Sequence, residues 1–131
     1  MTKRYRAAYT SDVANVALAR QVVADFAAAC GFSPEGVSDI RLAAGEALSN
    51  AVEHGRDTPR RRIVVVCSFE GDVLSVEIRD SGSGFSEPSD RESVQPDDRG
   101  RGFGIFLMRR LMDEVTFARN GKVVRLVRHL A

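Results

Sequence analysis

Three short segments, in which polar residues and glycines recur at fixed spacing, constrain this chain most strongly. They are residues 46–54 (EALSNAVEH), 80–85 (DSGSGF) and 100–104 (GRGFG). In the first segment Glu46, Asn50 and His54 stand at four-residue steps, and four residues advance a helix by only about 40° beyond one turn. The spacing predicts a helix with one polar stripe, followed by a strand that ends in a carboxylate and a helix that opens on glycines.

The apolar pattern between these segments predicts the order strand, two helices, two strands, a long loop, a helix and a hairpin. Strands are expected near residues 4–9, 63–69, 73–79, 115–119 and 122–127, and helices within 11–31, 33–54 and 105–112. This order fits an α+β fold: a two-layer sandwich whose mixed, mostly antiparallel sheet carries helices on one face. At 131 residues we expect one domain over 1–131.

The pattern also predicts which side chains form the core. The apolar face of the first helix is expected to be Val13, Val16, Leu18, Val22, Val23 and Phe26, and that of the second Ile40, Ala44, Ala47, Leu48 and Ala51. Residues 63–69 are nearly all β-branched or apolar, which predicts a strand covered on both faces.

Asp80 is in phase with the apolar row Leu74, Val76 and Ile78 of its strand. A buried carboxylate without a partner costs several kcal/mol. The phase of Asp80 therefore suggests that this carboxylate receives a ligand.

Two groups of glycines allow close approach of a ligand to the backbone. Gly82 and Gly84 follow Asp80, but position 87 is Glu87, so a dinucleotide-binding fingerprint is not complete. The chain also lacks a P-loop motif. The loop at 81–99 is long for a compact domain, which is typical of a lid.

The second group precedes a helix whose first N–H groups are free to bind phosphate. It consists of Gly100, Gly102 and Gly104, with Arg99 and Arg101 as additional charges.

Charge and cysteines exclude some classes of function. The net charge of +1 predicts no general attraction to nucleic acid or to an anionic membrane. The basic clusters at 60–62 and 109–110 are interpreted as a solvated turn and helix face, or else as a partner surface. Cys30 and Cys67 have no metal-ligand spacing and are expected to be buried thiols. The N-terminus shows no apolar leader, so a cytoplasmic protein is expected.

Taken together, the three segments resemble the bacterial anti-sigma-factor serine/threonine kinases, a branch of the GHKL (Bergerat-fold) ATPases. Residues 46–55 are similar to the N box of that family, 80–85 to its first glycine box and 100–103 to its second. Singly, each polar residue also has a structural explanation: Glu46 as a solvated acid, Asn50 as a surface amide and His54 as a helix cap.

The resemblance implies ATP and Mg²⁺ as cofactors. By position, it implies that Glu46 is the general base, that Asn50 holds Mg²⁺, and that Asp80 accepts a hydrogen bond from the adenine amino group. It implies nucleotide contacts from Gly82, Gly84, Phe85, Arg99, Gly100, Arg101, Gly102, Phe103 and Gly104, and for His54 either phosphate contact or helix capping.

The resemblance further implies partners: a STAS-type anti-anti-sigma factor as the phosphorylated substrate, a sigma factor, and a second copy in a homodimer, through the exposed surface near the first helix. No direct contact with nucleic acid or membrane is expected. One departure follows Gly121: many relatives have Thr shortly after the last hairpin glycine, whereas this chain continues with Lys122 and Val123. The alternative is therefore a non-catalytic, ATP-gated binding module. The ATP-binding half of a histidine kinase is a third reading, with His54 and His129 as the only histidines.

Overall fold

The computed structural model describes residues 2–53, 61–80, 103–119 and 121–130. Within these ranges the elements are β1 (Lys3–Thr10), α1 (Val13–Ala29), α2 (Pro34–Glu53), β2 (Arg62–Glu70), β3 (Val73–Asp80), α3 (Phe103–Leu111), β4 (Glu114–Ala118) and β5 (Val123–His129). The predicted order of strands and helices is confirmed. The predicted lid at 81–99 lies outside the described residues.

The strands form one sheet in the order β1-β2-β3-β5-β4, and each neighbouring pair is antiparallel. The α+β class and the mostly antiparallel sheet are therefore confirmed. The parallel pair that a mixed sheet requires does not occur among the described strands. The reason is that β5, not β4, pairs with β3, so the strand that runs parallel to β3 lies one position further out.

The helices pack on one face of this sheet. Alternate residues such as Val65, Ile78 and Val124, which are neighbours in the register, join buried residues of all three helices in one core. On the other face of β2, Val66 is buried, whereas Val64 and Ser68 stay partly exposed. The predicted cover on both faces of residues 63–69 is therefore confirmed only in part, because the helices pack on the opposite face of the sheet.

Local sequence explains the ends of the first two helices. The Asp12 carboxylate accepts a hydrogen bond from the Ala14 N–H at 3.0 Å and caps α1. The chain then turns at Gly31, whose φ of 100° favours glycine. The Ser33 hydroxyl accepts from the Gly36 N–H at 3.1 Å, which caps α2 just before Pro34.

The core face of α1 differs from the prediction. Val13 and Leu18 are 71% and 56% exposed, so they do not belong to the core. Val23 is buried as predicted, and Val16 and Phe26 pack against the core partly buried. The other buried residues of α1 are Ala19, Ala24 and Ala27, which the prediction did not include.

Small side chains fill this contact because α1 packs closely on α2. A Cβ added to Gly45 of α2 would lie 2.8 Å from Cδ of Arg20 on α1, so the Arg20 side chain packs directly against Gly45. The predicted core face of α2, in contrast, is buried throughout, as expected for Ile40, Ala44, Ala47, Leu48 and Ala51.

Cys30 and Cys67 are both buried free thiols, as the sequence predicts. Among the described residues, no helix combines the length and the apolar character that crossing a membrane requires.

Candidate functional site

The polar stripe of α2 has two members within the described residues. Glu46 and Asn50 are both partly buried and stand one turn apart, beside the buried face that anchors the helix to the sheet. Asn50 faces a cleft between α2, β3, α3 and the turn before β5. The rigid packing of α2 therefore sets where both side chains lie.

Asp80 ends β3 inside the same cleft and is 8% exposed. The cleft is lined by Ala47, Asn50, Ala51, Ile78, Asp80, Met108, Phe117, Gly121, Lys122 and Val124. A carboxylate acceptor among mostly apolar side chains suits a flat base that carries an amino group.

The buried partner of Asp80 is Arg61. Nη2 of Arg61 donates to Oδ1 of Asp80 and lies 3.4 Å from the carbonyl oxygen of Ala51. Arg61 is 3% exposed, so the interpretation of this residue as part of a solvated turn is wrong. The partner that the burial of Asp80 requires includes a side chain of the protein itself.

The sequence carried a signal for Arg61 that its neighbours obscured. Ile63 pairs with Asp80 in the sheet register, and both point to the core. Arg61 is two residues before Ile63 and hence on the same face. Alternation along β2 places it beside Asp80, whereas a run of three arginines suggested solvent.

The turn before β5 fixes the backbone of Asp80. The Asp80 N–H donates to the carbonyl oxygen of Lys122 at 2.7 Å. Gly121 beside it has a φ of 80°. The half-buried Lys122 therefore lines the cleft beside Asp80.

Glu46 lies against the first turn of α3. A Cβ added to Gly104 would lie 2.8 Å from Oε2 of Glu46 and 3.6 Å from its Cδ. The structure thus brings the predicted base and the last glycine of the third segment together. The space that Glu46 occupies exists because residue 104 has no side chain.

Phe103 is described, but it does not line the cleft. It is 46% exposed, and its ring centroid is 6.2 Å from that of Phe106. Its predicted contact with nucleotide therefore has no support in the described geometry. The remaining predicted residues lie outside the described part of the chain: His54, Gly82, Gly84, Phe85, Arg99, Gly100, Arg101 and Gly102.

The donor groups present fit Mg²⁺ held between protein and phosphate. Within the described residues there is no group of three or more His, Cys, Asp or Glu side chains that could hold a metal ion alone. Mg²⁺ in phosphate sites commonly keeps waters and takes few protein oxygens. Asn50, which lines the cleft, carries an amide oxygen of this kind.

A profile for the histidine kinase-like ATPase domain matches residues 9–128. The chain belongs to the histidine kinase-like ATPase domain family. This match covers the cleft on both sides, from α2 to the β4–β5 hairpin, and it confirms the family that the three segments indicated.

Individual relatives in this family agree with the kinase branch. The chain is 31% identical over 109 residues to the serine-protein kinase RsbW of Listeria monocytogenes, covering 76% of this chain and 69% of that protein. It is 28% identical over 131 residues to the anti-sigma F factor of a Thermoanaerobacter strain, covering 93% and 90%. These names agree with the predicted anti-sigma kinase function.

A solved structure supports the fold. It contains the RsbU and RsbW domains of a Mycobacterium tuberculosis protein, and it superposes with a TM-score of 0.73 at 20% identity. The match covers 98% of this chain but 32% of that one, so this chain spans about a third of that protein.

Proposed function

We propose that this chain is an ATP-dependent serine/threonine kinase that phosphorylates a STAS-type anti-anti-sigma factor and otherwise holds a sigma factor. The observation that carries the proposal is the position of Glu46 beside the opening of α3, on the same helix as Asn50 and next to the cleft that contains Asp80. An acceptor for a proton, an oxygen for Mg²⁺ and an acceptor for a base then lie along one side of the molecule.

The proposed reaction is transfer of the terminal phosphoryl group of ATP to a serine hydroxyl. A bond forms between the serine oxygen and the phosphorus, the bond to the bridging oxygen of ADP breaks, and Glu46 takes the hydroxyl proton. Asn50 is proposed to hold Mg²⁺, which neutralises phosphate charge. Asp80 is proposed to orient the nucleotide through its base.

The test is phosphate transfer from labelled ATP to STAS proteins encoded near this gene. Glu46→Gln should reduce transfer by about 10²- to 10⁴-fold, because it removes the proton acceptor but keeps the shape. ATP affinity, measured by calorimetry, should change little. Glu35→Gln, an exposed acid in the first turn of the same helix, is the matched control. Unchanged transfer by Glu46→Gln would remove Glu46 from the mechanism.

A second candidate is a binding module that ATP gates without phosphate transfer. The observation that favours it is Lys122 on the wall of the cleft. Sigma-factor or antagonist binding that depends on ATP, with no phosphoserine formed on any STAS partner, would support this function over the first.

The homodimer and the cytoplasmic location belong to the same proposal. The exposed Val13 and Leu18 on α1 supply apolar surface for a second copy. Analytical ultracentrifugation of the wild type and of Leu18→Glu measures whether this surface carries the dimer.

A further inference from the structure

Arg61 and Asp80 form an ion pair in the protein interior. Their side chains are 1% and 4% exposed, so neither charge is screened by much water. Breaking such a pair by removing one partner is costly, because it leaves the other charge buried. The position and the charge of Asp80 therefore depend on Arg61.

Arg61 is itself tied to α2. Its Nη2 lies 3.4 Å from the carbonyl oxygen of Ala51, in the last turn of a helix that ends at Glu53. The guanidinium thus links α2, which carries Asn50, to the end of β3.

The guanidinium of Arg61 contacts Asp80 without lining the cleft itself. Asp80 and Ala51 line the cleft, whereas Arg61 is not among the described residues that line it. A group that blocked the cleft would itself form part of its wall. Arg61 therefore holds the carboxylate without forming part of the described wall of the cleft.

The backbone and the side chain of Asp80 are held by different partners. The backbone N–H donates to the Lys122 carbonyl oxygen at 2.7 Å, and the side chain is held by Arg61. With the backbone anchored in the sheet, the contact with the guanidinium determines the direction in which the carboxylate points.

We infer that Arg61 is a positioning residue for nucleobase recognition, which makes the cleft select a purine with a 6-amino group over one without it. This role rests on the proposed binding of adenine by Asp80. A carboxylate held in a fixed direction accepts a hydrogen bond from an amino group, whereas a displaced one loses that preference.

The test compares the affinities of ATP and of purine riboside triphosphate, which lacks the 6-amino group, by isothermal titration calorimetry. The wild type should bind ATP about tenfold or more tightly than the analogue. In Arg61→Met the ATP affinity should fall about tenfold while that of the analogue changes little, so the ratio approaches one. Equal losses for both nucleotides, or an unchanged ratio, would overturn the inference.

Arg61→Lys keeps the test valid if Arg61→Met does not fold. Lysine retains the charge, but its ammonium group lacks the planar guanidinium whose Nη2 contacts both Asp80 and Ala51. The ratio should therefore fall about threefold, and a ratio equal to the wild type's would contradict the role. Arg79→Met is the matched control, since Arg79 adjoins Asp80 in sequence but pairs with Glu77 at 2.8 Å and is half exposed.

Asp80→Asn separates this inference from the proposed function. If that variant keeps both ATP affinity and the preference for the amino group, Asp80 does not bind the base and the proposed pocket is wrong. If Asp80→Asn loses the preference for the amino group while Arg61→Met retains it, Asp80 binds the base as proposed but Arg61 does not position it.

Discussion

Gly104 and Glu46 are in direct contact at the crossing of α3 and α2. A methyl group on Gly104 would lie 2.8 Å from Oε2 of Glu46, closer than a Cβ and a carboxylate oxygen can approach. Residue identity at 104 therefore controls the position of the proposed base, although residue 104 supplies no reacting atom.

Gly104→Ala should reduce the rate of phosphate transfer about 10- to 100-fold, since a displacement of about 1 Å is enough for such a loss. ATP affinity should stay within a few-fold of the wild type. The measurements are single-turnover transfer and calorimetry.

Rescue identifies the cause of this loss. Glu46→Asp shortens the side chain by one methylene, so Gly104→Ala combined with Glu46→Asp should transfer faster than Gly104→Ala alone. Gly36→Ala is the control, because its added Cβ would meet Phe32 and Ser33 at ordinary contact distances of 3.4 Å. Full activity of Gly104→Ala would show that the contact is irrelevant to transfer.

Lys122→Thr should raise ATP affinity about three- to tenfold. The change removes a long cation from the wall of the cleft beside Asp80 and supplies a hydroxyl that can hold a water against the base. Nucleotide titration measures the change in ATP affinity. Lys122→Met keeps the length of the side chain but removes its charge, so it distinguishes an effect of side-chain size from an effect of charge. Weaker ATP binding by Lys122→Thr would mean that Lys122 contacts the nucleotide itself.

Burial of the Cys67 thiol should make the folded protein less stable as the pH rises above 9. Burial, with a smaller effect from the neighbouring Cys30, raises the pKa of the Cys67 thiol from 9.0 to about 12. Below pH 9 the thiol is neutral in both states, so it has no effect on the free energy of unfolding. Between these two pKa values only the unfolded thiol ionises, which lowers the free energy of unfolding by about 1.4 kcal/mol per pH unit.

Urea denaturation at pH 8, 9 and 10 measures this slope. Cys67→Ala should lower stability at pH 8 through the lost packing, but its stability should then fall less steeply with pH than that of the wild type. Parallel curves for the two proteins would show that Cys67 does not titrate as its burial implies.

The Arg61–Asp80 pair predicts non-additive stability changes. Asp80→Asn should lower the free energy of unfolding by about 3 kcal/mol, because the guanidinium loses its buried counter-charge. Adding Arg61→Met should then cost little or restore part of the loss. A double-mutant cycle from urea unfolding measures the coupling, and additive losses would show that the pair does not act as a unit.

The fold was predictable from sequence because its elements are short, regular and separated by clear turns. Asp12, Gly31 and Ser33 set helix ends by local chemistry that a single chain displays. The core of α1 was not predictable, since alanines become the buried residues only when a second helix approaches closely. Arg61 was missed for a related reason, because its burial depends on the pairing of β2 with β3 and not on its own neighbours.

Spacing in the sequence selected Glu46, Asn50 and Asp80, and the structure places Asn50 and Asp80 in one cleft with Glu46 one helical turn from Asn50. The roles of these three residues belong to the proposed function. The spacing did not reveal which neighbouring residues hold these side chains in place. Gly104 was assigned to phosphate binding, and the described geometry adds that it makes room for Glu46.

The position of the site residues on α2 depends on the alanine-lined contact between α1 and α2, which lies outside the cleft. A larger side chain at Ala19, Ala24 or Ala27 would push the second helix outward and take Glu46 and Asn50 with it. The two sides of α1 should therefore differ in their tolerance to substitution. Polar replacements at Val13 and Leu18 should leave ATP binding and phosphate transfer unchanged. One added methylene on the alanine side of the same helix should alter both, although it lies outside the cleft.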